Sequence, residues 1–145
     1  VIILDNSTTG MTGHQHHPAT GFNIKGLPSP QLDLVDLCKA IGVKRVRVGD
    51  PFDIAAFEAA VKEELSAEEP SVIIARRRCV LLDKVQLPSL EVDEGKCIGC
   101  GLCIELGCPA LMSGDVASID AAICNGCGLC AKVCPAAAIT KREGR

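Results

Sequence analysis

The chain opens on four apolar residues, Val1-Ile2-Ile3-Leu4, followed by Asp5-Asn6. A short unbroken apolar run of this kind predicts a strand buried in a parallel sheet, handing its carboxyl end to a loop. A stretch rich in Gly, Thr, His and Pro then occupies residues 6–30. Over residues 31–41, Leu32, Val35, Leu37 and Cys38 recur at helical spacing, and Gly42 is placed to end that helix. Residues 43–48 alternate charge with valine, the period of a strand. Asp53 is placed to cap a helix running to residue 66, with Ala56, Phe57, Ala60, Val61 and Leu65 on one face. Ser71-Val72-Ile73-Ile74-Ala75 predicts another buried strand. Strand, helix, strand, helix, strand is the grammar of an α/β unit, a parallel sheet covered by helices. Pro70 and the Leu87-Pro88-Ser89 stretch punctuate it, which places an expected boundary between domains 1–87 and 88–145.

Beyond that boundary the chain repeats itself. Cys97-Ile-Gly-Cys100-Gly-Leu-Cys103, followed by Cys108-Pro109, recurs as Cys124-Asn-Gly-Cys127-Gly-Leu-Cys130, followed by Cys134-Pro135. The first copy carries one extra residue before its last cysteine. Each copy predicts a cysteine loop followed by a short helix, in a small α+β module. Strands are expected at 89–92 and 138–141, and residues 111–113 should pair with 117–119 around Gly114-Asp115.

Composition narrows the function. Of 145 residues 48% are apolar and 23% charged, enough apolar content for packed cores and too much for disorder. Aromatic residues make up 2%, with no Trp or Tyr, and the formal net charge is -3. Both facts argue against nucleic-acid binding, which needs basic patches and stacking platforms. No apolar run reaches membrane-spanning length and no signal peptide opens the chain, so no membrane association is expected. Ten cysteines without a secretory signal favour metal-bound thiolates in a reducing, cytoplasmic setting over a disulfide scaffold.

Three thiolates at i, i+3 and i+6 can wrap one corner of a four-iron cube, and a distant fourth closes it. Bacterial ferredoxins carry this run, and the fourth cysteine of each run ligates the other cluster. The segment resembles a two-cluster bacterial-type ferredoxin domain over its whole length. Carried over, the resemblance implies one [4Fe-4S] cluster on Cys97, Cys100, Cys103 and Cys134, and a second on Cys108, Cys124, Cys127 and Cys130. The glycines at 99, 101, 126 and 128 would let backbone amides approach sulfur. Structural zinc is the bland alternative, but its sites come as paired C-x2-C knuckles with no use for a third cysteine at that spacing. Cys38 and Cys79 lie outside the repeat and read as small buried hydrophobes.

The loop after the first strand, Asp5-Asn6-Ser7-Thr8-Thr9-Gly10-Met11-Thr12-Gly13-His14-Gln15, sits where open α/β sheets place ligands. Its chemistry suits a diphosphate with a hard cation. Asn6 offers an amide oxygen, Thr8 a main-chain carbonyl, and Gly10 and Gly13 close backbone approach to phosphate. The segment resembles the second half of the thiamine diphosphate motif of 2-oxoacid:ferredoxin oxidoreductases. The closest likeness is to the large (alpha) subunit of the indolepyruvate branch. The stretches starting at Cys38 and Glu69 resemble that family too, as does the order of thiamine domain first and two-cluster module last. Met11-Thr12-Gly13 stands where pyruvate-type relatives tend to carry Asn-Thr-Gly.

The resemblance implies Mg2+ on the side chain of Asn6 and the main-chain oxygen of Thr8, with Gly10, Met11 and Thr12 along the diphosphate. It implies oxidative decarboxylation of an aryl 2-oxo acid to the acyl-coenzyme A, with electrons passing through both clusters to a ferredoxin. Partners would be a smaller (beta) subunit, the 2-oxo acid, coenzyme A and ferredoxin; no catalytic residue is assigned. The family's upstream Gly-Asp-Gly or Gly-Asp-Ser half-motif is absent, so the expectation is a C-terminal portion of a longer protein. The competing class is a plain electron-carrying ferredoxin with an inert N-terminal extension, for which the 6–13 loop would have no use. His14, His16 and His17 read as a polar loop over the cofactor. Arg76, Arg77 and Arg78 read as a solvated strand end, with contact to coenzyme A phosphates or an acidic acceptor as the alternative.

Overall fold

The computed structural model describes residues 1–9, 15–80, 82 and 87–142. The chain divides into two compact units, Val1–Lys84 and Val85–Arg145.

The first unit is an α/β sheet. Strands β1 (Ile2–Asp5), β2 (Arg45–Gly49) and β3 (Ser71–Arg76) are all parallel, in the order β1-β3-β2. Helix α1 (Leu34–Ala40) joins β1 to β2, and α2 (Ile54–Leu65) joins β2 to β3. Asp33 caps α1 by accepting from the Val35 amide at 2.7 Å, so the helix starts three residues later than the periodicity alone suggests. Asp53 caps α2 as expected, accepting from the Ala56 amide at 3.3 Å. β3 is buried on both faces. Val72 and Ile74 pack with Cys38 of α1, and Leu34, Val35 and Ile3 close that cluster. Ile74 is wholly buried, which stabilises the fold by roughly 1.5–3 kcal/mol relative to exposure. Leu32 and Leu37, expected on the same helix face, are exposed.

β1 departs from the expected burial. Ile2 and Leu4 register beside Ile73 and Ala75 on the face that α2 covers. α2 packs against β2 and β3, so Leu4 stays 81% exposed. The helix face also differs from expectation. Leu65 is exposed, and the buried residue of α2 is Glu64. The cause lies in β2, whose register places Arg45 and Arg47 on the face turned to α2. Arg45 grips Glu64 with two bonds, Nε to Oε2 at 2.9 Å and Nη2 to Oε1 at 3.0 Å. Arg47 Nε adds a third to Oε1 at 2.5 Å, and Arg47 also pairs with Glu63. The alternating charges of β2 therefore hold a helix while staying partly in water. On the same face, Gly49 leaves room for Phe57 of α2, whose ring carbon would stand 3.2 Å from an added Cβ.

The second unit is the expected small α+β module. β4 (Leu90–Val92) pairs antiparallel with β7 (Ile139–Lys141), and β5 (Leu111–Met112) with β6 (Ser118–Ile119). The first copy of the repeat carries a single 3-10 turn at Ile104–Leu106, ended by left-handed Gly107 at φ 65°. The second carries helix α3 (Leu129–Val133). Leu90, Cys103, Ala117, Cys130 and Ile139 form the core. Among the described residues no helix is long and apolar enough to cross a membrane.

The bonds from Arg45, and then those from Arg47, hold the Glu64 carboxyl below its ordinary value of 4.5 despite the opposing cost of burial. A depressed carboxylate contributes stability that is full above its unfolded value and lost as pH falls through the folded one. Glu64→Gln should lower the melting temperature at pH 7 by on the order of 5 °C. The gap between variant and parent should close toward pH 3. Thermal melts followed by circular dichroism check this; a gap independent of pH would remove the charge of Glu64 as its source.

Candidate functional site

Two groups of residues carry chemistry, one in each unit. In the first, the carboxyl ends of the parallel strands meet. Asn6 follows β1 directly, and its side-chain oxygen accepts from the Thr8 amide at 3.1 Å. Between them Ser7 takes the left-handed φ of 62°, rare for a residue with a Cβ. Past the sheet, β3 continues alongside this segment. The Arg77 amide donates to the Asp5 carbonyl at 3.1 Å and the Cys79 amide to the Asn6 carbonyl at 3.0 Å. Arg76 Nε donates to Asp5 Oδ2 at 2.8 Å. Thr9 and Gln15 exchange a pair of backbone bonds, both 3.0 Å, which ties the base of the loop together. Gly10, Met11, Thr12 and His14 lie outside the described residues.

Other loop residues have structural partners. His17 Nδ1 accepts from the Ala19 amide at 3.3 Å and caps the turn Pro18–Thr20. His16 lies against Phe22, ring centroids 4.9 Å apart. The arginine run is a solvated strand end, as expected, with Arg76, Arg77 and Arg78 all exposed, and two of the three also make ion pairs. Besides the Asp5–Arg76 pair, Arg77 Nη1 donates to Asp50 Oδ2 at 2.6 Å, and its guanidinium stands 3.8 Å from the Phe52 ring centre. Sequence reading missed both pairs, because they become visible only once the strand order and register are known.

In the second unit Cys97, Cys100, Cys103 and Cys134 line one cavity, with Ile98, Ala117 and Ile139 among its walls. Cys134 joins the first triplet across the repeat because the chain turns back after α3 into β7. Burial pushes the Cys103 thiol up, and the nearby Cys134, Cys100 and Cys97 push the same way. Cys103 is buried, whereas Cys100 is exposed. In the other set, burial pushes Cys130 up to about 11, with Cys127 and Cys124 adding to the shift. Cys108 is half-buried, between left-handed Gly107 and the buried Ala110. Two thiols already accept backbone amides, Cys124 from Leu90 and Cys134 from Ala138, each at 3.4 Å. All ten cysteines are free thiols. Among the described residues, no three His, Cys, Asp or Glu side chains converge tightly enough for a single metal ion.

Two glycines set the cysteine loops. Gly99 at φ 64° faces the Asp115 carbonyl, which would lie 2.7 Å from an added Cβ. Gly126 at φ 72° is tighter still: a Cβ there would meet the Pro88 carbonyl at 2.5 Å and Leu87 Cβ at 2.7 Å.

Comparison with known proteins agrees with this division. The family model "Thiamine pyrophosphate enzyme, C-terminal TPP binding domain" matches residues 1–75. Models of a 4Fe-4S binding domain match residues 90–106 and 116–139. The chain is 40% identical to the indolepyruvate oxidoreductase subunit IorA of Pyrococcus abyssi over 99% of its own length. It is 38% identical to the proteins of that name from Archaeoglobus fulgidus and Methanothermobacter marburgensis, over 96% and 100% of its length. It spans 23–24% of the length of these three relatives. No solved structure matches it.

Gly126→Ala should destabilise the second unit by about 1–3 kcal/mol, since the added methyl meets backbone that cannot yield cheaply. Denaturant unfolding under reducing conditions measures this. An unchanged midpoint would show that the Leu87-Pro88 segment does not rest on the cysteine loop.

Proposed function

The chain belongs to the thiamine pyrophosphate enzymes through their C-terminal TPP-binding domain, and we propose from this that it is the electron-delivering end of a 2-oxoacid:ferredoxin oxidoreductase. In this reading residues 1–87 are part of the thiamine diphosphate-binding domain and 88–145 a two-cluster ferredoxin module. One observation carries it: four thiols surround a cavity in a chain whose other unit presents Asn6 and Thr8 at the carboxyl end of a parallel sheet.

The residues fit the groups they would hold. Asn6 and the Thr8 carbonyl are hard oxygen donors of the kind Mg2+ takes beside phosphate oxygens, and Gly10, Met11 and Thr12 would follow the diphosphate. A tetrahedral zinc ion needs its sulfurs drawn to within about 2.3 Å of one point. Thiols spread round a cavity suit the separate corners of a [4Fe-4S] cube instead. Cys97, Cys100, Cys103 and Cys134 would hold one cluster, and Cys108, Cys124, Cys127 and Cys130 the other. When bound, thiamine diphosphate supplies the electron sink for decarboxylation, and the clusters supply one-electron relays. The protein's part is to orient and shield. The amides of Leu90 and Ala138, aimed at Cys124 and Cys134, would favour the more negative, reduced state of each cluster. Burial of Cys103 and Cys130 keeps water from two of the ligands.

The finer reading follows the relatives named indolepyruvate oxidoreductase. The substrate would be indolepyruvate or another aryl 2-oxo acid, and the product its acyl-coenzyme A. A smaller beta subunit and a ferredoxin acceptor would be partners, in the cytoplasm.

Anaerobically prepared protein should contain about eight Fe and eight sulfides per chain. Metal analysis showing stoichiometric zinc in a colourless protein would overturn the cluster assignment. In the full-length enzyme with its partner subunit, Asn6→Ala should abolish turnover of indolepyruvate while iron content stays unchanged. Normal turnover in that variant would remove Asn6 from the thiamine site.

A further inference from the structure

We propose that Arg76 is a positioning residue for the Asn6 loop, acting through Asp5 to hold the oxygen donors where Mg2+ and a diphosphate meet them. The inference rests on the reading of Asn6 and Thr8 given above.

Asp5 and Arg76 are the last registered pair between β1 and β3, and paired residues of a parallel sheet point to the same face. Their ion pair therefore crosses directly between neighbouring strands, at the residue before Asn6. The Asp5 side chain is 10% exposed and that of Arg76 47%. The acid is thus the fixed end, and the guanidinium lies over it. Beyond the pair, backbone bonds from Arg77 and Cys79 take the carbonyls of Asp5 and Asn6. Ser7 needs such support. A left-handed residue with a Cβ persists only where its surroundings over-determine it, and Ser7 stands at φ 62° between the two proposed Mg2+ donors. Ser7, Asp5 and Arg76 line one polar hollow with Gln31 and Asp33, so the guanidinium lies at the side of the loop itself.

Arg77 provides the comparison. It also makes an Arg–Asp pair at the carboxyl edge of the sheet, but its side chain reaches Asp50 and Phe52 in the loop after β2. A general loss of edge stability would follow from either arginine. A loss of loop position should follow from Arg76 alone.

The test uses the full-length protein with its partner subunit and reads the dissociation constant of thiamine diphosphate at saturating Mg2+ by calorimetry, without turnover. Arg76→Gln should weaken binding on the order of 10–100-fold, as loss of an outer partner of a metal site does. Arg76→Lys should fall between it and the parent, because the ammonium keeps the charge and loses the planar fork. Arg77→Gln should bind as the parent does, while its melting temperature without cofactor falls as much as that of Arg76→Gln. Should Arg76→Gln fail to fold, Asp5→Asn weakens the same contact at constant shape and should loosen binding in the same sense. Parent-like binding in the folded Arg76 or Asp5 variant, beside lost binding in Asn6→Ala, overturns the positioning role and leaves the site standing. Equal weakening in the Arg76 and Arg77 variants also overturns it. Parent-like binding in Asn6→Ala removes the site and the inference with it.

Discussion

Strand β3 has a neighbour on each side, and both other strands of the described sheet bond to it alone. Its apolar residues Val72, Ile73, Ile74 and Ala75 are 0–7% exposed, so each of its faces must be covered. α1 packs on the Val72–Ile74 side, and the groove beneath α2 reaches Ile73. The carboxyl ends of β1, β2 and β3 then emerge at one edge. There the pairs of Asp5 with Arg76 and Asp50 with Arg77 hold the first two loops against the end of the third strand. The candidate cofactor loop thus inherits its position from a strand that contributes none of its proposed ligands.

The second unit is organised differently. With short two- and three-residue strands and no large aromatic side chain, its apolar interior is small, and thiols fill part of it. Cys103 and Cys130 are core members, and Cys97, Cys124 and Cys134 pack against them. Burial alone opposes forming the thiolates, as the upward shifts of Cys103 and Cys130 show. Metal binding reverses that balance, because a bound cation stabilises the thiolate.

Much of this arrangement was legible in the sequence. Asp53 before a periodic stretch, the run 71–75 and the doubled cysteine pattern each combine two signals that agree, and their elements formed where expected. The strands at 90–92 and 139–141, and the pairing of 111–112 with 118–119, were legible for the same reason. What stayed hidden depends on neighbours distant in sequence. Arg45 and Arg47 look like a water-facing strand edge until α2 is laid over them. Leu65 looks like a core residue until Glu64 is drawn inward by those arginines. Asp5 and Arg76 are 71 positions apart and meet only because β3 lies beside β1. At the candidate site, the ferredoxin resemblance implied two four-thiol sets, and the cavity gathers one of them. The thiamine loop was legible through resemblance, and its Asn6 and Thr8 ends stand at the carboxyl edge of the sheet.

The thiol-filled interior of the second unit has a consequence for assembly in the cell. On the cluster reading, the atoms completing that interior come from the iron–sulfur supply, whereas the buried cluster of the first unit is made of Val, Ile, Leu and Cys38 side chains. Folding of the second unit is then coupled to metal availability. A chain made without iron would then have a second unit lacking the atoms that complete its interior, and that unit would be the one open to proteases.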